Sequence, residues 1–361
     1  MFHQLHISYH SFVNSSSSEY NTDLEKFVMK EISSNLIKEL KSYTGSNAMD
    51  LLTKSLRASE LKFQRRRIIN RISREAALAY PLKIDEHQLI LTKPVNNLSI
   101  GYMLNPTMLC DEKEIFLLIL IKSNVNHHRL RYVIRNTWAK EAYSVFESVR
   151  VAFLIGNSLE EGISMWIENF NFGDIIQGDF VDAYKNNTYK TIMAYRWVVE
   201  YCSNARFVFF IDDDMFVNVK LTKTFLNSVD KKTESNLFSG AVVTAGRPAR
   251  ETNNPWFVNK KDYPYKVYPE YLSGCAMFVS QSVIRRFNVL FPYVKYFPFD
   301  DVYLGIIANK LGIPLHNNKY LVNANINNVS ALNSMIANHG FKNESYLLNT
   351  YGDFSVGDML M

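Results

Sequence analysis

The chain has 361 residues, of which 47% are hydrophobic and 14% aromatic. It can therefore bury a core as one large or two smaller domains, and this composition excludes a disordered protein. The formal net charge of +5 is too small to indicate nucleic acid as a partner, although it suits an anionic substrate or a membrane-facing surface.

The cysteines and glycosylation signals indicate the compartment weakly. Three cysteines, Cys110, Cys202 and Cys275, lie far apart without metal-ligand spacing, so one disulfide can form and one thiol stays free. Asn-x-Ser/Thr sequons slightly favour a secretory compartment, and they occur at Asn14, Asn97, Asn186, Asn328 and Asn343.

The sequence contains neither a signal-peptide core nor 18 consecutive apolar residues. We therefore expect a soluble chain whose membrane anchor, if it has one, lies outside this sequence.

The N-terminal region, residues 1–105, is predicted to be stem-like and helical. Residues 1–50 are polar and include four consecutive serines, whereas 51–79 carry apolar residues among many charges, as in a helix. Six basic residues cluster in this predicted helix, between Lys62 and Arg74. They either contact a membrane or nucleic acid, or form a solvated helix face. The second interpretation is favoured because only a single aromatic residue, Phe63, interleaves for base stacking.

Residues 106–361 alternate between apolar runs and helical stretches, which predicts a second domain with a largely parallel α/β sheet flanked by helices. The predicted strands are 115–121, 149–155 and 207–211. The predicted helices are 129–148 and 188–202, the second capped by Asn187 or Thr188.

The triplet Asp212-Asp213-Asp214 directly follows the strand at 207–211. Ligands of open α/β sheets bind outside the carboxyl ends of the strands, and hard divalent cations prefer carboxylate and phosphate oxygens. The triplet is therefore a candidate metal–diphosphate site. Taken alone, an acidic solvated turn explains it equally well.

Three more groups carry chemistry. Arg131 and Arg135 lie four apart, so a helix would bring their guanidinium groups to one face, where they can pair with phosphate oxygens or with a carboxylate. Asp182 can accept hydrogen bonds from a uracil or ribose, or cap the helix that follows. Lys190 lies in that helix's first turn, which favours anions.

The pair Asp300-Asp301 follows an aromatic segment and precedes a predicted helix. A carboxylate in an apolar setting can serve as a general base because burial raises its pKa. The pair can equally supply the N-cap and a first-turn acid of the helix. His339 can bind a metal through a neutral ring nitrogen, although a lone histidine is more often a packing or surface residue.

The order of these clusters, from about residue 110 to 345, resembles the β-1,3-glycosyltransferase family, which includes β-1,3-galactosyltransferases, β-1,3-N-acetylglucosaminyltransferases and, more distantly, the Fringe proteins. Besides the Asp triplet, matching segments are the strand that ends in Lys-Ser (117–123), Arg-x-Val-Ile-Arg-x-Thr-Trp (131–138), Phe-Leu-x-Gly (153–156), the Asp-Phe-x-Asp block (179–191), Trp-Phe-Val (256–258), Tyr-Pro-x-Tyr-x-Ser-Gly (268–274) and Asp-Asp-Val-x-x-Gly (300–305). One departure from the family pattern is Gly274-Cys275-Ala276-Met277, which is bulkier than the family's Gly-rich stretch. Because of this difference, the resemblance does not define the identity of the substrate.

The resemblance implies a GT-A type α/β fold and a Mn²⁺-dependent inverting glycosyltransferase. Such an enzyme moves a hexose, most of all galactose, from a UDP-sugar to a glycan in β-1,3 linkage. By the same resemblance, Mn²⁺ binds to Asp212, Asp214 and His339. The general base is Asp301. The residues expected to contact the UDP-sugar are Arg131, Arg135, Asp182, Lys190, Asp212 and Asp213.

The resemblance also implies a setting, namely a Golgi membrane protein whose catalytic domain, residues 106–361, faces the lumen. Its acceptor is expected to be a glycan on a glycoprotein or glycolipid. Three alternatives stay open at this point. They are a β-1,3-N-acetylglucosaminyltransferase, an inactive glycan- or nucleotide-binding protein of the same fold, and, more weakly, a metal-dependent phosphohydrolase.

Overall fold

A computed structural model describes residues 94–359 except 159, 325 and 327, with side chains up to residue 355. The predicted stem, the helix at 51–79 and its basic cluster lie outside the described residues. The boundary between residues 105 and 106 stays a prediction.

The strands at the centre of the fold form an eight-stranded sheet with the order β1-β4-β3-β2-β5-β8-β7-β9. The central strands β4, β3, β2 and β5 are parallel, whereas β1 and β8 run antiparallel to their neighbours. The bounds are β1 Tyr102–Leu104, β2 Ile115–Lys122, β3 Val149–Asn157, β4 Ile175–Val181, β5 Ala205–Asp212, β7 Phe238–Val243, β8 Tyr271–Ser280 and β9 His316–Asn317. The predicted α/β class with a mostly parallel central sheet is confirmed.

A second, three-stranded sheet lies after the acidic triplet and has the order β10-β11-β6. Its strands are β6 Met215–Val217, β10 Leu321–Val322 and β11 Ala337–His339. Only two residues separate the end of β5 from the start of β6. The pairing of β11 with β6 therefore brings a segment more than 100 residues later in the chain to the triplet.

Most of the helices pack in two groups, α1, α2, α5, α9 and α10 in one and α4, α7 and α8 in the other. Their bounds are α1 His128–Asn136, α2 Trp138–Val145, α3 Gly162–Phe172, α4 Asn187–Tyr201, α5 Val219–Ser228, α6 Lys231–Glu234, α7 Gln281–Leu290, α8 Asp300–Leu311, α9 Val329–Leu332 and α10 Glu344–Met359. A short 3₁₀ turn at Tyr184–Asn186 precedes α4.

The core forms around β2, β5 and β8, whose side chains are mostly buried on both faces. The continuous apolar runs predict this for β2 and β5. Phe209 of β5 stacks on Phe278 of β8 with ring centroids 4.1 Å apart. Burying an aromatic side chain of this size contributes roughly 1.5–3 kcal/mol. The three predicted strands are confirmed, each with ends within two residues.

Two helix predictions need correction. The predicted helix at 129–148 is interrupted at Thr137, whose φ of −117° and ψ of −119° are not helical, and α2 starts at the next residue. The Thr137 hydroxyl donates to the carbonyl oxygen of Val133 at 2.8 Å, a local hydrogen bond that competes with helix continuation. Asn187 and Thr188 lie inside α4, and Asn186 at the N-cap position makes no side-chain capping bond.

The disulfide links Cys110 to Cys202 across 92 residues and leaves Cys275 free, as the odd count predicts. It ties the segment before β2 to the end of α4. Within the part of the chain that the structure describes, no helix is both long and apolar enough to cross a bilayer.

Candidate active site

The acidic triplet lies at the carboxyl end of β5, where Asp212 ends the strand and the next two residues make the turn into β6. It opens onto a pocket of about 990 Å³. The pocket brings together the predicted metal ligands and the predicted base, and its polar lining includes Asp212, Asp214, His339, Asp301, Lys122 and Lys342. The triplet is thus both a turn and one wall of a cavity.

Lys122, the last residue of β2, is a buried cation at the base of this pocket. Its Nζ lies 3.0 Å from Asp212 Oδ1 and 3.1 Å from Asp300 Oδ2, and it donates to the carbonyl oxygen of Gly274 at 2.9 Å. Burial lowers the pKa of Lys122, but the two carboxylates outweigh that effect and hold the pKa above its ordinary value. The ammonium group therefore stays charged. Burial also raises the pKa of Asp212 to about 7, against the opposing charge of Lys122.

Asp214 and His339 form the second feature of the pocket. His339 Nε2 lies 3.1 Å from Asp214 Oδ2, and the backbone carbonyl of Asp214 accepts from Gly340 N and Phe341 N. The pair meets because His339 in β11 lies opposite Met215 in β6, next to the triplet. The other carboxylate oxygen, Asp214 Oδ1, is buried without a hydrogen-bond partner among the described residues.

This unpartnered oxygen tests whether the residues present fit a divalent cation. A buried carboxylate oxygen without a donor is costly, and a cation would satisfy it. Carboxylate and imidazole groups are ligands that Mn²⁺ accepts. Yet no group of three His, Cys, Asp or Glu residues in the described part of the chain stands ready at metal-binding distances. Of the predicted ligands, Asp214 and His339 fit, whereas Asp212 is paired with Lys122.

Asp300 and Asp301 occupy the first turn of α8, whose N-cap is Phe299, so the N-cap alternative for Asp300 is wrong. Asp300 is instead buried, and it accepts from Thr191 Oγ1 at 2.8 Å besides pairing with Lys122. Although burial opposes it, the charge of Lys122 holds the pKa of Asp300 below its ordinary value. Burial and the negative charge of Asp300 raise the pKa of Asp301 to about 6.

Asp301 therefore has the environment that a general base needs. It lines the pocket, and its Oδ1 accepts from Val302 N at 2.7 Å. A pKa near 6 leaves the carboxylate ionised at neutral pH but more basic than an exposed aspartate.

The segment after β2, residues 123–127 and called here the β2–α1 loop, is fixed by four residues that were predicted to contact the nucleotide. Two of them are cations. Arg131 is fully buried and donates to Ser123 Oγ at 3.1 Å. Lys190 donates to the carbonyl oxygen of Ser123 at 2.6 Å and to Asp182 Oδ1 at 2.9 Å. The charged groups of Arg131 and Lys190 therefore contact the loop from its buried side.

The two acids, Asp182 and Asp213, accept hydrogen bonds from the same loop. Asp182 Oδ2 accepts from Val125 N at 2.8 Å. Asp213 Oδ2 accepts from Ser123 Oγ at 2.6 Å and lies 2.8 Å from His127 Nδ1, a hydrogen bond that raises the pKa of His127. Asp213 is 7% exposed, so it supports the loop rather than lining the pocket.

The arginine pair takes carboxylate partners, one of the two alternatives that its spacing left open. Arg131 makes two 2.8 Å hydrogen bonds to Glu168, and Arg135 does so with Asp174 at 2.7 and 2.8 Å. Arg135 also lies 2.8 Å from Glu168. Neither arginine lines the pocket. Contact of either arginine with a nucleotide stays a prediction, as it does for Asp182, Lys190 and Asp213.

Sequence reasoning assigned no role to Lys122 or Lys342. The signal for Lys122 in the sequence is that a lysine that ends an apolar strand needs a counter-charge. The identity of that counter-charge comes from the structure, in which Lys122 lies directly opposite Asp212 in the parallel register. Lys342 is exposed on the pocket wall, three residues after His339. No pattern in the sequence distinguishes it from the other surface lysines.

Comparison with known proteins shows the family to which the chain belongs. Residues 129–319 match the sequence model of the Galactosyltransferase family. Human UDP-GalNAc:beta-1,3-N-acetylgalactosaminyltransferase 1 is 32% identical over 266 residues, which cover 71% of this chain and 79% of the human protein. Drosophila melanogaster beta-1,3-galactosyltransferase brn is 35% identical over 199 residues, covering 55% of this chain and 61% of the fly protein. Mouse beta-1,3-galactosyltransferase 1 is 32% identical over 236 residues, covering 64% and 72%.

Among solved structures, the galactosyltransferase LgtC in complex with donor and acceptor sugar analogs covers 65% of this chain and 95% of its own. The TM-score is 0.37 at 13% identity, which is too low to assign the class of protein. The family match and the sequence relatives assign it. With a pocket at the strand ends of an α/β sheet, they define a glycosyltransferase. The chain belongs to the Galactosyltransferase family, and the resemblance found in its motifs is confirmed.

Proposed function

We propose that this protein is an inverting β-1,3-glycosyltransferase that moves galactose or N-acetylgalactosamine from a UDP-sugar to a glycan. The observation that carries the proposal is Asp301, a half-buried carboxylate with a pKa near 6 that shares one pocket with Asp214 and His339. The names of the relatives supply the linkage and the two donor sugars. N-acetylglucosamine, the other candidate donor, differs from these two in the orientation of the C4 hydroxyl.

Each step of the reaction has a candidate residue. Asp301 takes the proton from the acceptor hydroxyl, and the oxygen attacks the anomeric carbon from the side opposite the leaving diphosphate. In-line attack inverts that centre, so an α-linked UDP-sugar gives a β linkage. Lys122 pairs with both Asp212 and Asp300 at the base of the pocket and partly offsets their negative charge. Lys342 lies where it can offset phosphate charge.

Asp214 and His339 would hold a divalent cation, with Mn²⁺ the candidate. Support comes from the donor types and from the unpartnered Asp214 Oδ1. When bound, the cation offsets the negative charge that develops on the diphosphate leaving group. A metal-stripped sample should regain transfer with Mn²⁺. Full activity without any divalent cation would overturn the metal assignment while leaving the transferase proposal intact.

A donor panel tests the transferase proposal. The purified chain is incubated with Mn²⁺ and radiolabelled UDP-galactose, UDP-N-acetylgalactosamine, UDP-N-acetylglucosamine or UDP-glucose, together with a mixture of oligosaccharide acceptors. We expect transfer from one of the first two donors and release of UDP. Transfer from UDP-N-acetylglucosamine alone would replace the donor assignment.

The same assay separates the other classes of function. UDP binding without transfer or hydrolysis of any donor would identify a binding protein, and release of inorganic phosphate would identify a phosphohydrolase. Asp301→Asn is the matched variant. It should abolish transfer yet keep UDP affinity near that of the original protein, and near-normal transfer would reject Asp301 as the base.

Localisation in the Golgi lumen, with association with its membrane, is part of this proposal. The Cys110–Cys202 disulfide and the sequons at Asn97 and Asn343, both on exposed residues, support an oxidising secretory compartment. Expression in animal cells with an epitope tag tests it. We expect co-localisation with a Golgi marker and a mobility shift after deglycosylation, whereas a diffuse unglycosylated protein would contradict it.

A further inference from the structure

Two exposed aromatic side chains lie side by side on the wall of the active-site pocket and have no role in the reaction described so far. Trp256 is 56% exposed and Tyr184 is 60% exposed, and both line the pocket that contains Asp301. Exposed rings of this size lose the stabilisation that burial gives other aromatic residues in the protein. Two of them together on a concave wall indicate a ligand-binding surface.

The two rings are held in a fixed relation although they are exposed. Trp256 Nε1 donates to the hydroxyl of Tyr184 at 2.9 Å. This hydrogen bond connects the long segment between β7 and β8 with the 3₁₀ turn before α4. Trp256 N also donates to Asn254 Oδ1 at 2.8 Å. The pair is therefore ordered before any ligand binds, which lowers the entropic cost of binding.

The segment that carries Trp256 is itself anchored. Arg250 donates to the carbonyl oxygens of Val258, Tyr263 and Tyr265 at 2.7, 2.6 and 2.9 Å. A β-bridge joins Ala249 to Phe257. The tip of the segment is thus tied to its own base, and the ring does not depend on ligand contact to keep its place.

The chemistry of the rings indicates what they bind. One face of a pyranose ring presents C–H groups with partial positive charge, which pack on the electron-rich face of an aromatic ring. The hydroxyl groups at the rim of the sugar stay hydrated or find polar partners, and Asn187 and Asn254 line the same pocket. A tryptophan whose N–H is already satisfied offers its flat face to such a ligand.

We propose that Trp256 and Tyr184 form a stacking platform, called here the Trp256 platform, that binds a pyranose ring of the acceptor glycan. The inference rests on the proposed transferase function and adds where the acceptor binds. The donor end of the pocket is the one that Asp212, Asp214, His339 and Lys342 define, and its groups are charged. The platform is aromatic and comes from other segments, so it suits a neutral sugar rather than a diphosphate.

Steady-state kinetics test the platform. Trp256→Ala should raise the KM for the acceptor about tenfold, the loss expected for one aromatic contact, with a much smaller change in kcat and in the KM for the donor. Trp256→Phe keeps a ring and should stay within about threefold of the original KM. Trp166→Ala is the matched control, because Trp166 is 61% exposed on α3 and does not line the pocket.

Two outcomes would overturn the proposal. One is an unchanged acceptor KM in Trp256→Ala. The other is a parallel loss of UDP affinity in that variant, measured by calorimetry, because the ring would then stack on the uracil base instead of a sugar. Thermal unfolding of Trp256→Ala checks that the variant is folded, and Tyr184→Phe, which removes only the hydrogen bond, gives an independent second variant.

A fluorescence measurement tests the platform even if no transfer is found with any donor. Trp138 and Trp197 are fully buried, so in a Trp166→Phe background Trp256 is the exposed tryptophan of the described residues. Oligosaccharides with terminal β-galactose, α-galactose or β-N-acetylglucosamine serve as probes. We expect at least one to protect Trp256 from acrylamide quenching. No protection by any of them would reject the platform, whereas protection without transfer would reject only the transferase function.

Discussion

Lys122 Nζ lies 3.0 Å from Asp212 Oδ1, and this ion pair connects the ends of β2 and β5 beneath the pocket. The same ammonium group lies 3.1 Å from Asp300, which neighbours the proposed base. One buried cation thus pairs with a carboxylate on the donor side and with another on the acceptor side. The charge states of the two sides are coupled through it.

Lys122→Met should destabilise the protein and abolish transfer. The change leaves the buried Asp300 and the half-buried Asp212 without their cation, which costs about 3–5 kcal/mol. Urea unfolding measures the loss. The double variant Lys122→Met/Asp300→Asn also removes one of the two carboxylate charges left without a cation, so it should recover part of that stability. A double variant less stable than Lys122→Met would show that the ion pair with Asp300 is not the source of the loss.

The pH dependence of kcat/KM should report Asp301. Its pKa is raised to about 6, so below that pH the carboxyl group is protonated and cannot accept the acceptor's proton. We expect activity to rise as the pH increases through about 6. Asp300→Asn removes a negative charge that contributes to the raised pKa, so it should move this limb to lower pH. A limb that moves to higher pH would contradict the assignment.

Asp214→Asn and His339→Gln should each weaken Mn²⁺ binding by at least about tenfold, the scale of loss seen when a metal site is disturbed. Calorimetry or the Mn²⁺ resonance signal in the presence of UDP measures this without needing activity. His128→Gln is the control, since His128 lies outside the active-site pocket. Equal Mn²⁺ affinity in all three variants would place the cation elsewhere.

Gly305→Ala should destabilise the protein and lower activity because α8 approaches β8 closely at Gly305. A Cβ atom there would lie 2.4 Å from Tyr271 Cβ and 2.8 Å from the carbonyl oxygen of Glu270. The helix that carries Asp301 would have to shift, at a cost of about 1–3 kcal/mol that exceeds the roughly 1 kcal/mol gain in helix propensity. Thermal unfolding and transfer assays measure both effects.

The matched control is Gly352→Ala, in α10. A Cβ atom at Gly352 meets no atom within 4 Å, so the same substitution should stabilise the protein by roughly 0.5–1 kcal/mol through helix propensity alone. If both variants were stabilised, α8 would have room to move, and the close approach to β8 would not position Asp301.

Local patterns predicted the elements that position the site. Continuous apolar runs gave the three central strands because a strand buried on both faces needs no polar alternation. The break at Thr137 was missed, since helical periodicity continues through that residue and the break depends on backbone angles that composition does not indicate. The acidic end of β5 could be recognised as a candidate site because three adjacent carboxylates repel one another unless a positive charge compensates them.

Ion-pair partners were harder to predict. Arg131 was expected at the nucleotide, and its buried partner is Glu168, two helices later in α3. Lys122 was overlooked as a functional residue. Its role depends on β2 lying between β3 and β5, a neighbour relation that the sequence does not state. In both cases the missing information was which distant segments pack together.

The sequence by itself determined the α/β class, the family and the residues that could carry the chemistry, because burial patterns and motif order are properties of neighbouring residues. The tertiary structure decided how those residues are used. It paired Asp214 with His339 through β6 and β11, placed Asp212 and Asp300 against Lys122, and left Asp301 half-buried beside a like charge. Charges interact through space with the nearest group, and that group is chosen by the packing of segments far apart in the chain.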